Sequence, residues 1–171
     1  KILTDWNGLM IAALSQGGQV LGNEVYIDAA KNAVKFVLES LRDENGRLMK
    51  RSRLGKAGLQ PHLDDYSFMV FGLLNLYEAT FDPSYLASAL ELTEIMIEDF
   101  SDKNGGFFIG SKDAEKLMVR AKDSYDGAIP SGNSVAALNL FRLGKITGNT
   151  KWTDLGYSTL KAFTDKAKQS P

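Results

Sequence analysis

Adjacent carboxylates, Asp64 and Asp65, are the residues of this chain best suited to acid–base catalysis. Two neighbouring acids at the start of a helix can divide two tasks. One caps the helix and stays ionised, because backbone N–H groups and the helix dipole favour the anion. The other can face an apolar cavity, where desolvation raises its pKa and makes it a general acid. The alternative is that both carboxylates only cap the helix.

A second segment combines side chains that suit the recognition of a sugar. Asp5, Trp6 and Asn7 offer a carboxylate, an indole and an amide in a row. The CH face of a sugar can stack on the indole, and its hydroxyls need bidentate polar partners. Tyr66, beside Asp65, would add a second ring for stacking. The competing interpretations are an N-cap Asp5 with Trp6 in the core, and a Tyr66 that only packs.

A third segment, Ser131-Gly132-Asn133, forms a tight entry into a predicted helix. Ser131 can cap this helix, and Gly132 allows a close backbone approach. Free N–H groups at such a start can bind an oxygen or an anion. Asp126 lies just before this entry and is a candidate second carboxylate, unless it only forms a surface ion pair. We therefore assign Asp64, Asp65 and Asp126 as candidate catalytic residues, and Asp5, Trp6, Asn7, Tyr66, Ser131, Gly132 and Asn133 as candidate substrate-binding residues.

The composition argues against several other kinds of site. There is one histidine, His62, and no cysteine, so a Ser–His–acid triad, thiol catalysis and a transition-metal site have little support. We expect no metal and no cofactor. The net charge is -1 without a prominent Lys/Arg run, which argues against nucleic acid and anionic membranes as partners. No apolar stretch is long enough to span a bilayer and no signal peptide is recognised, so we expect a cytoplasmic protein.

The elements that would position these residues are helices arranged in a repeat. The segment Tyr26 to Gly46 recurs as Tyr85 to Gly105, 59 residues later and without a gap. Apolar periodicity predicts six helices, and short links pair them into three αα-hairpins. The predicted helices run roughly from Trp6 to Leu21, Glu24 to Leu41, Asp65 to Thr80, Pro83 to Phe100, Asn133 to Thr147 and Thr150 to Ala167.

The two members of each predicted pair differ in character. The first helix is apolar and rich in small residues, whereas the second is amphipathic, as expected for an inner and an outer ring. We therefore predict an all-α fold, in which three αα-hairpins form about half of an (α/α)6 toroid. Short β-hairpins are expected between the pairs, at Arg47 to Arg51 with Gly58 to Gln60, and at Phe107 to Ile109 with Leu117 to Arg120. The inner helices would all begin at one rim, which would bring the three polar segments together.

This half-ring organisation has a consequence for association. We interpret residues 1–171 as a single domain that is a fragment of a larger toroid. Inner-helix apolar surface would then be exposed at the open edges of the arc. We expect it to pack against the rest of the parent chain or to mediate self-association.

The same polar segments carry a resemblance to a known family. Thr4-Asp5-Trp6-Asn7-Gly8, Leu63-Asp64-Asp65-Tyr66 and Tyr125 to Ser134 resemble the C-terminal region of the thioredoxin-domain-containing proteins related to spermatogenesis-associated protein 20 and bacterial YyaL. The resemblance implies a thioredoxin-like domain N-terminal to an α/α toroid. It also implies a toroid similar to those of N-acylglucosamine 2-epimerases and six-hairpin glycosidases. No biochemical activity is established for that family.

Three functional hypotheses remain open from the sequence. The first is a carbohydrate-active domain with a saccharide ligand, acting by paired carboxylates as a glycosidase or as a sugar isomerase. The sugar epimerases use histidines as acid–base groups. Because this chain has a single histidine, His62, a paired-carboxylate mechanism fits it better than epimerisation does. The second is a non-catalytic binding or scaffold domain attached to the thioredoxin-like domain. The third is a purely structural segment, since a fold alone does not fix a function.

Overall fold

The chain forms seven helices and a small sheet in the part that the structure, a computed structural model, describes, which is residues 1–114 and 119–169. The helices are α1 (Thr4–Leu21), α2 (Glu24–Ser40), α3 (Leu63–Thr80), α4 (Pro83–Phe100), α5 (Gly132–Thr147), α6 (Thr150–Lys161) and α7 (Thr164–Gln169). The strands are β1 (Ile2–Leu3), β2 (Arg51–Arg53) and β3 (Lys56–Gly58).

The helices pack as three αα-hairpins, as predicted. The inner helices α1, α3 and α5 lie side by side, and α2, α4 and α6 each pack on the inner helix that precedes them. The central helix α3 is buried along most of its length because it has a neighbour on three sides. The core is formed mainly by aliphatic side chains of these helices, with Phe68, Phe100 and Phe107 also fully buried. This arrangement confirms an all-α arc of a toroid.

Each hairpin turn uses the same local chemistry. The inner helix ends in a left-handed residue, which is Gly22, Phe81 or Gly148. The next residue is an Asn or Asp whose side chain accepts a hydrogen bond from the start of the outer helix. A left-handed C-terminal residue followed by an N-cap reverses the chain within two residues, because both helix ends are satisfied locally. These dipeptides therefore explain the short links that the sequence predicted.

The closest contact between inner helices depends on two glycines. A Cβ at Gly8 would lie 2.4 Å from the carbonyl carbon of Phe68, and a Cβ at Gly72 would lie 2.7 Å from the carbonyl oxygen of Gly8. No larger residue fits without moving a backbone, so the small residues of the inner helices set the distance between α1 and α3.

The first predicted β-hairpin forms, with shifted bounds. Strand β2 pairs antiparallel with β1 on one side and with β3 on the other. The observed strand β2 therefore lies closer to the turn at Leu54-Gly55 than the predicted strand, Arg47 to Arg51. The N–H of Lys50 still donates to the carbonyl of Leu59, at 3.0 Å.

No strand forms at Phe107 to Ile109 in the described residues, where the second β-hairpin was predicted. Phe107 is buried in the core and makes an isolated bridge with Ser101, while the carbonyl of Ile109 accepts from the N–H of Leu63. The N–H of Ile109 donates to the carbonyl of Ala121 at 2.9 Å, which is one hydrogen bond toward the side where the partner strand was predicted. The predicted partner, Leu117 to Arg120, falls partly outside the described residues.

The last predicted helix is also interrupted. Helix α6 ends at Lys161, and α7 begins at Thr164. The N–H of Phe163 donates to the carbonyl of Leu160, an i to i−3 bond that tightens the chain. The ring of Phe163 packs against Gly106, so a tertiary contact accompanies the break.

Candidate functional site

The candidate site is built from the N-terminal starts of the inner helices, which lie at one rim as predicted. The helices begin slightly earlier than expected, at Thr4, Leu63 and Gly132. Connecting segments fix two of these starts through backbone hydrogen bonds, from Thr4 N–H to Lys50 and from Leu63 N–H to Ile109. The polar side chains of the three segments are therefore held on a common scaffold.

Asp65 is the capping member of the carboxylate pair. Its fully buried carboxylate accepts hydrogen bonds from the N–H of His62 at 2.7 Å and from the N–H of Asp5 at 3.1 Å. Lys50 Nζ lies 3.3 Å from its Oδ2. Burial raises the pKa of Asp65 to about 7, although Lys50 and the His62 N–H oppose the shift. The His62 contact caps α3, and the Asp5 and Lys50 contacts tie α3 to α1, which makes Asp65 a positioning residue.

Asp64 points elsewhere and is half-buried. Its Oδ1 lies against Gly132 at the start of α5, where a Cβ on that glycine would come within 2.3 Å of the oxygen. Burial raises the pKa of Asp64, and Lys50 opposes that shift. No described residue donates a hydrogen bond to this carboxyl group. Asp64 therefore combines an uncommitted carboxyl with an environment that favours its protonated form.

Asp126 reaches the start of the same helix from the loop before it. Its Oδ1 accepts from the N–H of Ser131 at 2.7 Å, and its Oδ2 accepts from the hydroxyl of Ser134 at 3.1 Å. These hydrogen bonds lower the pKa of Asp126 despite partial burial. The carboxyl groups of Asp126 and Asp64 thus contact consecutive residues, Ser131 and Gly132. The pKa of Asp64 is raised, whereas that of Asp126 is lowered.

Asp5 lies in the first turn of α1, whereas the sequence placed it before the helix as an N-cap. The N-cap position belongs to Leu3. One oxygen of Asp5 accepts from the N–H of Trp6 at 2.8 Å, and the other lies 2.7 Å from Lys50 Nζ. The carboxylate is buried and committed, so it positions Lys50 and does not fit a role as a substrate ligand.

Lys50 is the site residue that sequence reasoning missed. Its ammonium group bridges Asp5 and Asp65, and it is mostly buried. Burial alone would lower the pKa of Lys50, but the two carboxylates raise it overall. The residue belongs to a connecting segment, far in sequence from both partners. No local spacing could have revealed it; the available signal was a cation beside a short apolar run.

Trp6 and Asn7 lie on a different flank of α1. The indole is 62% exposed, and with Asn7 it lines an open groove of 620 Å³ that also includes Leu3, Ala33 and Phe36. The predicted alternative of a Trp in the core is therefore wrong. The Asn7 amide donates to the carbonyl of Leu3 at 2.7 Å, which leaves its oxygen for a ligand.

Tyr66 and Asn133 do not fit the substrate-binding roles predicted for them. The ring of Tyr66 is fully buried against Phe100, its hydroxyl accepts from the N–H of Leu48 at 3.0 Å, and burial raises its pKa to about 12. The amide of Asn133 exchanges hydrogen bonds with both backbone groups of Phe107 and donates to the carbonyl of Asp123. Packing and loop attachment account for both side chains.

Ser131 and His62 occupy N-cap positions. The hydroxyl of Ser131 accepts from the N–H of Ser134 at 3.2 Å, as the capping interpretation predicted. His62 precedes α3, and partial burial together with Lys50 lowers its pKa.

In the described residues, no group of three or more His, Asp or Glu side chains is arranged to hold a metal ion. Over the same residues, no helix has the length and apolarity needed to cross a membrane.

Sequence comparison identifies relatives along the whole chain. No family model matches. Spermatogenesis-associated protein 20 of Rattus norvegicus and of Homo sapiens are each 39% identical over 183 residues, covering 100% of this chain and 23% of their own length. An uncharacterised protein of Caenorhabditis elegans is 31% identical over 179 residues, covering 100% of this chain and 24% of its own length.

The whole of this chain is homologous to part of spermatogenesis-associated protein 20. The resemblance to spermatogenesis-associated protein 20 that was predicted from its polar segments is thus confirmed. The chain spans less than a quarter of the length of the two mammalian relatives.

Solved structures with the same fold are sugar-processing proteins. A glycoside hydrolase family 76 α-mannanase of Bacteroides thetaiotaomicron superposes with a TM-score of 0.81 at 20% identity, covering 96% of this chain and 45% of that one. A cellobiose 2-epimerase of Spirochaeta thermophila superposes with a TM-score of 0.76 at 18% identity, covering 94% of this chain and 42% of that one. A D-mannose isomerase superposes with a TM-score of 0.71 at 16% identity, covering 96% of this chain and 42% of that one. At these identities the likeness establishes the fold.

Proposed function

We propose that this segment is part of a carbohydrate-processing α/α toroid in which Asp64 is the general acid and Asp126 is its ionised partner. One observation carries the proposal: the two carboxyl groups meet the start of α5 at adjacent residues and have opposite pKa shifts. Titratable pairs whose environments separate their pKa values are the usual basis of acid and base roles. The sugar-processing proteins that share the fold make a saccharide a consistent substrate.

The reaction that fits this pair is hydrolysis of a glycosidic bond. Protonated Asp64 would donate its proton to the leaving oxygen as that bond breaks. Ionised Asp126 would either take a proton from the attacking water or attack the anomeric carbon itself. Asp65 and Lys50 would hold the start of α3, and hence Asp64, in place through their contacts with α1.

The experiment is turnover of an oligosaccharide panel by the full-length protein and its variants. We expect Asp64→Asn to abolish turnover while saccharide binding is retained, because only the transferable proton is removed. Asp126→Asn should also lower turnover. Asp154→Asn, which changes an exposed acid on α6, should leave turnover unchanged. Full activity of Asp64→Asn would refute the assigned role.

A non-catalytic saccharide-binding domain is the alternative, and one observation favours it. The exposed Trp6 ring lies on the groove beside α2, whereas Asp64 lies against α5. A domain that only binds would use the ring without the carboxyl pair. Saccharide binding that is lost in Trp6→Ala, together with no turnover of any sugar, would support this second function.

A further inference from the structure

The sheet formed by β1, β2 and β3 carries a row of positive charge. Register pairs Arg53 directly with Lys56, and continuation of the β1–β2 ladder places Lys1 opposite Arg53. Directly opposed residues of antiparallel strands share one face of the sheet. Lys1, Arg53 and Lys56, which we call the cationic row, therefore lie side by side on one face, and all three are exposed.

The cationic row has no internal counter-charge among the described residues. None of its members forms an ion pair there, whereas Arg47 and Lys50 of the same segment do. Between Gly46 and Leu63 the chain has five cations and no acid, although its net charge is -1. Like charges placed directly opposite one another destabilise a sheet. An anionic ligand would relieve that repulsion.

The turn between β2 and β3 keeps the cationic row in register at a conformational cost. The turn between Arg53 and Lys56 is made by Leu54 and Gly55, with φ values of 51° and 75°. A two-residue turn with both φ values positive fixes the register of its strands. Leu54 adopts the left-handed region without being glycine and is 93% exposed, so neither its conformation nor its burial favours this residue there. The left-handed Leu54 is therefore a local conformational cost within this turn.

The cationic row also adjoins a ring suited to stacking. Lys1 lines the same groove as Trp6 and Phe36. Arg51, on the same face of the sheet one row away, has a buried Nε without a hydrogen-bond partner among the described residues. The groove thus combines an exposed aromatic surface with one end of the cationic row, Lys1.

We propose that the cationic row binds an anionic group, a phosphate or a carboxylate, carried by a saccharide whose ring stacks on Trp6. This inference rests on the proposed function for its saccharide and names the substrate class as anionic sugars. Phosphates and carboxylates are the anions that Arg and Lys recognise most effectively. The site lies on the rim formed by the inner-helix starts, beside Lys50, which links the sheet to Asp65.

The test is calorimetric titration of the full-length protein with matched pairs of sugars. The probes are mannose against mannose 6-phosphate, glucose against glucuronate, and inorganic phosphate alone. We expect the anionic member of each pair to bind more tightly, and this preference to weaken as salt is raised. Equal affinity within both pairs would overturn the inference.

Charge-matched variants identify the residues responsible. Arg53→Gln with Lys56→Gln should weaken binding of the anionic sugars about fivefold to tenfold, since exposed ion pairs are individually weak. Lys35→Gln with Lys103→Gln removes the same charge from exposed positions elsewhere and should have no effect. Equal losses in the two double variants would show a general charge effect and overturn the inference. Trp6→Ala should weaken the binding of neutral and anionic sugars alike.

The outcomes separate this inference from the proposed function. Phosphate binding that the Arg53/Lys56 double variant abolishes, without binding of any sugar, would show an anion site that takes no saccharide; it would overturn this inference and contradict the proposed function. Binding of neutral sugars alone would support the proposed function and contradict the anion site. Binding of anionic vesicles or oligonucleotides by the cationic row, with no response to anionic sugars, would identify a different ligand class and overturn the inference.

Discussion

Asp64 and Asp65 show how neighbouring identical residues acquire different chemistry. Successive residues of a helix point about 100° apart, so the two carboxyl groups leave α3 toward different neighbours. Asp65 meets the backbone of His62 and Asp5 together with the Lys50 ammonium group. Asp64 meets Gly132, whose missing side chain leaves room for the carboxyl group. The environment rather than the residue type decides which of the two is available.

Lys50→Met should destabilise the protein in a pH-dependent way. The raised pKa of Asp65, about 7, means that the native state holds a proton that the unfolded state releases near its ordinary value of 3.8. Stability therefore falls as pH rises between these values, and Lys50 limits the fall. Without Lys50, we expect a loss of about 3 kcal/mol at pH 8, where Asp65 and Asp5 would lack their cation. At pH 5 we expect a loss of about 1 kcal/mol, because protonated Asp65 needs no counter-charge.

Urea denaturation of the full-length protein at the two pH values measures this difference. Lys31→Met is the control, because Lys31 forms an exposed pair with Asp28 at 3.3 Å. Its effect should stay below about 0.5 kcal/mol at both pH values. A Lys50→Met variant with equal losses at both pH values would contradict the electrostatic role.

At the scale of elements, the spacing of the inner helices determines the geometry of the rim. Gly8 and Gly72 allow α1 and α3 to approach until backbone meets backbone. The hydrogen bond from Asp5 N–H to Asp65 spans the same interface. A change in helix spacing would therefore reach the candidate site through this bond.

Gly8→Ala should cost at least about 2 kcal/mol, since the added Cβ would lie 2.4 Å from backbone that cannot easily move. Gly17→Ala is a matched control on the same helix, where the nearest atom is a Tyr26 ring carbon at 3.6 Å. It should stabilise the protein by about 0.5–1 kcal/mol through helix propensity. Thermal denaturation of both variants tests the prediction. A stabilising Gly8→Ala would show that the helix spacing is not set by this contact.

At the scale of the whole molecule, α1 presents an apolar stripe at the open edge of the arc. One helical face carries Met10, Ala13, Gly17 and Val20, and Met10 and Val20 are each more than half exposed. Such a contiguous face is typical of a surface that another element covers. We propose that the remainder of the parent chain packs here, as another inner helix of the toroid.

The separate 171-residue segment should then self-associate through this stripe. Sedimentation of the segment at increasing concentration should reveal oligomers, and Met10→Glu with Val20→Glu should shift it to monomers. Leu160→Glu, at an exposed apolar position on α6, should not. A monomeric wild-type segment would contradict the expected role of this surface.

The sequence contained most of the information about the helices, because their signals are local. Apolar periodicity, the Gly22-Asn23 type of turn and the 59-residue repeat depend on residues close together in the chain. Predicted ends of the first five helices lie within a few residues of the observed ones. The errors arose where distant contacts compete with local ones, as when Phe107 joined the core or Phe163 turned onto Gly106.

Local sequence patterns were enough to predict the repeat, the hairpins and the rim at which the polar segments gather. Which of those side chains are available for chemistry depends on the folded structure. Tyr66 and Asn133 became structural, Asp65 was paired with Lys50, and Asp64 was left uncommitted beside Gly132. The physical reason is that helix formation depends on near neighbours in sequence. Burial, hydrogen-bond partners and pKa depend on residues that only folding brings together.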